Sequence, residues 1–170
     1  MKVLASLKPY YYYLVGEGIK KIEVRKGEPK AKDWDRDVLF YMSKDEKSFA
    51  EIPKELQEKY RKHFGKVGLE FICDEIQSYT SDDIKFFTHI AEESCVSKCD
   101  LLRYKGEKQY LYGWHISNLK IYDKPKELSE FKTLCYSCGY QTLGISSNCK
   151  KCSQYAPLTR PPQSLCYVEI

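Results

Sequence analysis

The sequence has 170 residues, of which 42% are hydrophobic and 31% are charged, and this balance predicts a globular protein with a core of its own. The formal net charge of +4 is too small for charge alone to indicate a nucleic-acid partner. No apolar run approaches the ~20 residues that a membrane helix needs, and the N-terminal stretch is interrupted too early for a secretion signal. We therefore expect a cytoplasmic protein without a membrane partner.

The chain opens with a predicted strand and helix. Residues 3–7 are mostly apolar and predict a first strand, and Pro9 suits the first turn of a following helix. Tyr10, Tyr13 and Leu14 lie at spacing i, i+3 and i+4, which gives that helix one apolar face. Glycines 16 and 18 then end the helix.

The segment GIKKIEVR, residues 18–25, predicts a short strand that buries one face. The β-branched Ile22 and Val24 favour extended structure and point into a core. Side chains alternate along a strand, so Lys21, Glu23 and Arg25 share the opposite face. Spacing alone leaves two readings open: a solvated face with a weak surface ion pair, or a recognition site.

Gly18, Lys20, Glu23 and Arg25 match the G-x-K-x-x-E-x-R signature of the ASCH family, a branch of the PUA-like fold. The chain resembles that family over roughly residues 1–122 and again in its last strand. The resemblance implies a small β-barrel with a cleft, lined by Lys20, Glu23 and Arg25. It also implies RNA or a modified nucleobase as the ligand.

The rest of the chain alternates between strand and helix patterns. We predict further strands at residues 38–42, 67–76, 110–122 and 165–170, and further helices at residues 53–64, after Ser81, and at residues 98–104. Gly68, inside one strand, predicts a bulge or a close approach of another group. The expected fold class is α+β: a PUA-like mixed β-barrel flanked by helices, forming a single domain over residues 1–170.

Two C-x-x-C pairs, ten residues apart, predict a structural zinc site inserted before the last strand, at residues 133–155. Four thiolates satisfy tetrahedral Zn²⁺ and leave no open position for catalysis. A redox dithiol is the rival for a single pair, but two pairs argue against it. The insertion either holds the last strand or carries lysines 150 and 151 toward nucleic acid. The predicted ligands are Cys135, Cys138, Cys149 and Cys152.

Among ASCH-type proteins the resemblance also suggests hydrolases. Some members are amidohydrolases on acetylated cytidine, with a threonine nucleophile three residues after the signature lysine, and others are associated with ribonuclease activity. Here that position is Glu23, which cannot perform the same acyl transfer as a hydroxyl. We therefore expect no catalytic residues; in an enzyme, Lys20 and Glu23 would share the proton transfers. Otherwise Glu23 accepts from an exocyclic amine, and Arg25 either holds a phosphate or fixes Glu23.

Aromatic residues are abundant, with 15 tyrosines and 2 tryptophans, and rings beside cations suit base stacking. Trp114 and His115, adjacent on a predicted strand, are candidates for the cleft wall. Trp114 would stack on a base and His115 would donate to a phosphate or a base edge. The alternative is that Trp114 is a core residue and His115 makes a buried hydrogen bond.

Three functions remain open from the sequence. The first is a module that binds RNA or a modified nucleobase through Lys20, Glu23 and Arg25. The second is a small hydrolase that uses the same cleft. The third is a protein-interaction module that docks a partner through residues 133–155.

Overall fold

The computed structural model describes residues 1–31, 34–133 and 157–169. The predicted zinc ligands therefore lie outside the described residues. The helices are α1 (Pro9–Gly16), α2 (Glu46–Ala50), α3 (Lys54–Arg61), α4 (Ile84–Ser94) and α5 (Lys98–Lys105). The strands are β1 (Lys2–Leu7), β2 (Ile22–Arg25), β3 (Asp37–Met42), β4 (Val67–Ile72), β5 (Ile76–Tyr79), β6 (Leu111–His115), β7 (Ser117–Lys126), β8 (Lys132–Thr133) and β9 (Leu165–Glu169).

The described strands form two sheets. The larger is mixed, with strand order β7-β4-β3-β1-β9-β8, and its one parallel pair is β1 with β3. The smaller is antiparallel, with order β2-β6-β5. A parallel pair needs a crossover connection, and the segment that crosses from β1 to β3 contains α1 and β2.

Apolar side chains of the described residues build three clusters. The main core lies on one face of the large sheet, against α1, and includes Phe40, Phe71 and Trp114. A second cluster joins the outer face of the small sheet to α4 and α5 through Ile22 and Val24, among others. Strand β2 is thus buried on both faces, and it carries Glu23 and Arg25 of the signature into the interior.

The α+β class expected from the sequence is confirmed, and β1, α1, β3, α5 and β9 lie where their patterns predict them. Closure into one barrel is not among the strand pairings of the described residues.

Two predicted strands are wrong as single elements. Strand 67–76 ends at Ile72, and β5 starts in the second sheet at Ile76. Strand 110–122 divides into β6 of the small sheet and β7 of the large sheet. Helix α2 was not predicted from the sequence; its first turn is capped by Asp45, whose side chain accepts a hydrogen bond from the backbone N–H of Ser48.

Gly68 meets both expectations placed on it. The pairing of β4 shifts register between Val67 and Leu69, as at a bulge. A Cβ at Gly68 would lie 2.1 Å from His63 Nδ1 and 2.8 Å from the Tyr12 hydroxyl oxygen. The missing side chain therefore lets two buried polar groups meet above the strand.

Within the described ranges, no helix is both long enough and apolar enough to cross a membrane.

Candidate functional site

The signature strand is delivered by a tight turn at the end of α1. Gly18 has φ +67°, a left-handed conformation that glycine adopts without strain. The backbone N–H groups of Ile19 and Lys20 both donate to the Leu14 carbonyl, at 2.8 and 3.0 Å. The Lys21 N–H then donates to the carbonyl of Glu93 at 2.8 Å, at the end of α4. The turn fixes where Lys20 enters the molecule.

Lys20, Glu23 and Arg25 form one buried ion cluster. Lys20 Nζ lies 3.3 Å from Glu23 Oε2, and Arg25 Nε lies 2.9 Å from Glu23 Oε1. The three residues are 2%, 5% and 8% exposed. The three groups therefore meet in the interior, and the reading of a solvated strand face is wrong.

Arg25 also ties three segments together. Its Nη2 donates to the Ser6 carbonyl at 2.9 Å, and its Nη1 donates to the Ser164 carbonyl at 3.2 Å. Arg25 Nε–H makes no hydrogen bond within the described part of the chain, so its approach to Glu23 is an ion pair without hydrogen-bond geometry. Of the two roles that the sequence left open, these contacts favour positioning of Glu23 over capture of a phosphate.

Lys20 is surrounded by partners for its three N–H groups. Besides Glu23, its ammonium donates to the Ser94 carbonyl at 2.8 Å and lies 5.4 Å from the centre of the Tyr11 ring. Burial lowers the pKa of Lys20, and the nearby Glu23 carboxylate opposes that shift. Burial likewise raises the pKa of the Tyr11 hydroxyl.

The cluster opens onto a cavity of about 290 Å³. The end of β1 and the start of α1 line one part of the cavity, and Val96 together with α5 lines another. Glu23 and its two cations line the cavity as well. The cavity is lined by Ser6, Leu7, Lys8, Tyr11, Lys20, Glu23, Val24, Arg25, Val96, Asp100, Leu101 and Tyr104.

Trp114 does not line this cavity, contrary to the expectation from the sequence. It pairs with Glu23 across β2 and β6, so both side chains leave the same face of the sheet. The indole is fully buried in the main core, with its ring centre 6.4 Å from that of Trp34. The alternative reading of a core residue is the one that the geometry supports. Its Nε1–H has no hydrogen-bond partner within the described ranges.

His115 also lies away from the cavity. It follows Trp114 on β6 and so points to the opposite face. Its Nδ1 is 2.7 Å from Asp74 Oδ1, and the two side chains are 46% and 50% exposed. The hydrogen bond with His115 lowers the pKa of Asp74. His115 is therefore part of a half-exposed pair at the end of the small sheet.

The polar residues that line the cavity outside the signature include Tyr11, Asp100 and Tyr104, which were not predicted from the sequence. Tyr11 comes from α1, while Asp100 and Tyr104 come from α5 with spacing i, i+4. That spacing marks one face of a helix, but it does not say which strand the face covers. The tyrosine count pointed to rings beside cations without locating them.

The site offers acid–base and recognition chemistry. A carboxylate lies between two cations and beside two tyrosines, and Lys20 combines a lowered pKa with access to a cavity. No cluster of three or more His, Cys, Asp or Glu side chains able to hold a metal lies among the described residues.

Comparison with known proteins gives a fold match. No family model matches the sequence, and no curated protein matches it. The crystal structure of an ASCH protein from Zymomonas mobilis matches at 14% identity and a TM-score of 0.57, covering 99% of this chain and 87% of that one. Two single-residue variants of the same protein match at 13% identity each, with TM-scores of 0.56 and 0.54 and with 90% and 88% of their chains covered. The fold is therefore similar to that of ASCH proteins.

Proposed function

We propose that this protein is an ASCH-type module that binds RNA or a modified nucleobase in the cavity above Lys20, Glu23 and Arg25. The observation that carries the proposal is the meeting of these three buried charges at the floor of one cavity. Burying charged groups is costly unless they are paired, and this cluster holds two cations against one carboxylate. Such an arrangement suits a polar ligand better than an apolar one.

Glu23 is the recognition group in this proposal. Its oxygens face Lys20 and Arg25, and each carboxylate oxygen can accept more than one hydrogen bond. Acceptor capacity at the floor of a cavity suits the amine and ring N–H donors along the edge of a nucleobase. Tyr11 on the wall offers an aromatic surface to a planar ligand.

Arg25 holds the carboxylate for the ligand. Its contacts with the carbonyls of Ser6 and Ser164 fix the guanidinium, and the guanidinium fixes Glu23. A preorganised acceptor costs less entropy on binding than a mobile one. The positively charged Lys8, exposed at the mouth, is available for a phosphate of the ligand.

Hydrolysis is the second candidate function, because Lys20 has a lowered pKa inside a cavity and touches a carboxylate. Shifted pKa values of this kind are typical of acid–base sites. In this reading Lys20 and Glu23 exchange protons with a water that attacks an acylated cytidine or an RNA phosphate. The threonine nucleophile of the amidohydrolases is replaced here by Glu23, so the mechanism would differ from theirs.

The test fills the cavity without touching its charges. Val96 lines the cavity, whereas Ile84 lies on α4 with 75% exposure and does not line it. Val96→Phe and Ile84→Phe are therefore matched aliphatic-to-aromatic changes inside and outside the site. We expect Val96→Phe to lower affinity for single-stranded RNA or for cytidine and N4-acetylcytidine more than about tenfold, and Ile84→Phe to bind like the wild type.

The same experiment separates the alternatives. Product formed from N4-acetylcytidine or RNA, measured by chromatography, would replace the binding module with the hydrolase. Equal binding by both variants, or no binding by the wild-type protein, would contradict the cavity as a ligand site.

The cysteine insertion is a separate part of the proposal. We infer that residues 133–155 form a structural zinc knuckle, through Cys135, Cys138, Cys149 and Cys152, within a single PUA-like barrel domain of a cytoplasmic protein. Reduced cysteines are typical of that compartment, and zinc pairs with four thiolates at about one equivalent. Protein purified under reducing conditions should carry that zinc by elemental analysis, and its absence would contradict the site. Loss of a protein partner alone on removal of the insertion would favour the interaction module.

A further inference from the structure

The mouth of the cavity holds a second aromatic residue, Tyr104, which the proposed floor of the site does not use. Tyr104 lines the cavity and is nevertheless 41% exposed, so its ring reaches from the cavity wall to the surface. It stands one helical turn after Asp100 on α5. Because the Tyr104 ring lies at the mouth and is partly exposed to solvent, it can contact a ligand that extends beyond the cavity.

A lysine accompanies that ring. Lys26 Nζ lies 4.9 Å from the centre of the Tyr104 ring, within the range of a cation–π contact. Burial raises the pKa of the Tyr104 hydroxyl, and the nearby positive charge of Arg25 opposes that shift. The cation–π contact thus joins the ring to the residue that directly follows β2.

The position of Lys26 links the mouth to the floor. Lys26 is the next residue after Arg25, and it is exposed whereas Arg25 is 8% exposed. Strand β2 therefore places the Glu23 carboxylate and the Arg25 guanidinium at the floor of the cavity. The residue after it, Lys26, places a solvated ammonium at the rim. Lys8 adds a second exposed ammonium, between β1 and α1.

Two tyrosine–lysine pairs result, one inside and one outside. Lys20 lies over Tyr11 in the buried part of the cavity, and Lys26 lies over Tyr104 at the mouth. Rings interleaved with cations are what proteins use to bind successive nucleotides, because every base has a π-face and every linkage a negative charge. A free nucleoside has only one base and no phosphate, so it cannot occupy both pairs.

We propose that Tyr104 and Lys26 form a subsite for the nucleotide that neighbours the one in the cavity, so that the ligand is a single-stranded polynucleotide rather than a free nucleoside. This inference rests on the proposed function, because it extends that binding site outward. The neighbouring base stacks on Tyr104, and the phosphate that joins the two nucleotides contacts the ammonium of Lys26.

The experiment compares two probes on the same protein: the four ribonucleosides, by calorimetry, and a mixed-sequence RNA hexamer, by fluorescence anisotropy. We expect the wild-type protein to bind the hexamer more tightly than any nucleoside. Tyr104→Leu should weaken hexamer binding about tenfold and nucleoside binding by a clearly smaller factor. Tyr104→Phe keeps the ring and is the matched control, with hexamer binding within about twofold of the wild type.

Lys26→Met supplies an independent readout. It should weaken hexamer binding and reduce the slope of its salt dependence by about one ion, with nucleoside binding unchanged. A merely structural role for Lys26 would leave that slope as it is in the wild type.

Four results would overturn the subsite. Equal losses for nucleosides and hexamer in Tyr104→Leu would place its ring against the base inside the cavity. Unchanged hexamer binding would remove the ring from recognition. Tight binding of nucleosides with no gain for the hexamer would retain the proposed function and exclude the subsite, whereas a wild-type protein that binds neither probe would exclude both.

Discussion

Two of the buried polar clusters in the described residues differ in charge and in access. At the signature strand, Lys20, Glu23 and Arg25 place three charged groups at the floor of a cavity. On the other side of α1, the Tyr12 hydroxyl and His63 Nδ1 meet at 3.0 Å in a site where both residues are at most 1% exposed. Neither of these two residues lines the cavity.

The difference indicates that the charged cluster belongs to the proposed binding site, whereas the Tyr12–His63 pair has a structural role. Burial lowers the pKa of His63 to about 4, so this imidazole is neutral at pH 7 and needs only its neutral partner. The charged cluster is not needed for folding stability in the same way, because replacing a buried ion pair with apolar side chains often leaves a protein equally stable. Its position at a cavity explains why the protein retains these charges despite the free-energy cost of burying them: they are placed to contact the proposed ligand. The following changes test that contrast.

The largest effect is expected at Glu23. Glu23→Gln removes the anion between two buried cations, and breaking a buried pair in this way costs about 3–5 kcal/mol of unfolding free energy. Glu46→Gln is the matched control, because Glu46 pairs with Arg61 at 3.0 Å with side-chain exposures of 67% and 53%. An exposed pair of that kind contributes about 0–1 kcal/mol. Urea unfolding followed by circular dichroism measures both.

A loss below about 1 kcal/mol in Glu23→Gln would contradict the buried cluster, since it would equal the effect of a surface pair. The double change Lys20→Met with Glu23→Gln sharpens the result. It removes one cation with the anion, and the stability should recover in part relative to Glu23→Gln alone.

The neutral cluster should respond to acid. The folded pKa of His63 is about 4 and its ordinary value is 6.5, so the folded protein binds fewer protons than the unfolded chain between these pH values. Stability from this group is complete above about pH 6.5 and falls as the pH drops toward 4, by up to about 3 kcal/mol.

His63→Gln does not titrate, so the difference in unfolding free energy between this variant and the wild type should change across that window and stay constant above it. Using the difference cancels the carboxylates that protonate in the same range. A constant difference from pH 7 to 4 would show that His63 titrates normally in the folded protein.

Much of the fold could be predicted from the sequence because the starts and ends of many elements are marked by residues within a short segment. Pro9 and Gly18 mark a helix start and a turn, and the β-branched residues of β2 mark its buried face. The strand prediction failed over residues 67–76, where Asp74 and Glu75 separate two strands that belong to different sheets. A run of apolar residues does not say which sheet each part joins.

The residues of the site also divide into those that a short segment predicts and those whose position depends on tertiary packing. Lys20, Glu23 and Arg25 were predicted together because one short segment carries them, although period-2 alternation does not decide whether their face is buried. Tyr104 was missed because its place in the cavity depends on how α5 packs over β2, more than seventy residues away in the chain. Trp114 was misplaced since an aromatic on a strand packs in a core as readily as it lines a cleft.

The smallest effect is expected where a buried group lacks a partner. The indole N–H of Trp114 meets no acceptor within the described residues, whereas the Tyr60 hydroxyl donates to Glu17 Oε1 at 2.5 Å. Trp114→Phe loses packing but also removes a buried donor whose desolvation costs about 1–3 kcal/mol, so we expect a net change within about 1 kcal/mol. Tyr60→Phe loses a hydrogen bond to a carboxylate, worth about 1.5–3 kcal/mol. If urea unfolding shows Trp114→Phe to be the more costly change, that result would contradict an unpaired indole N–H whose removal offsets the lost packing.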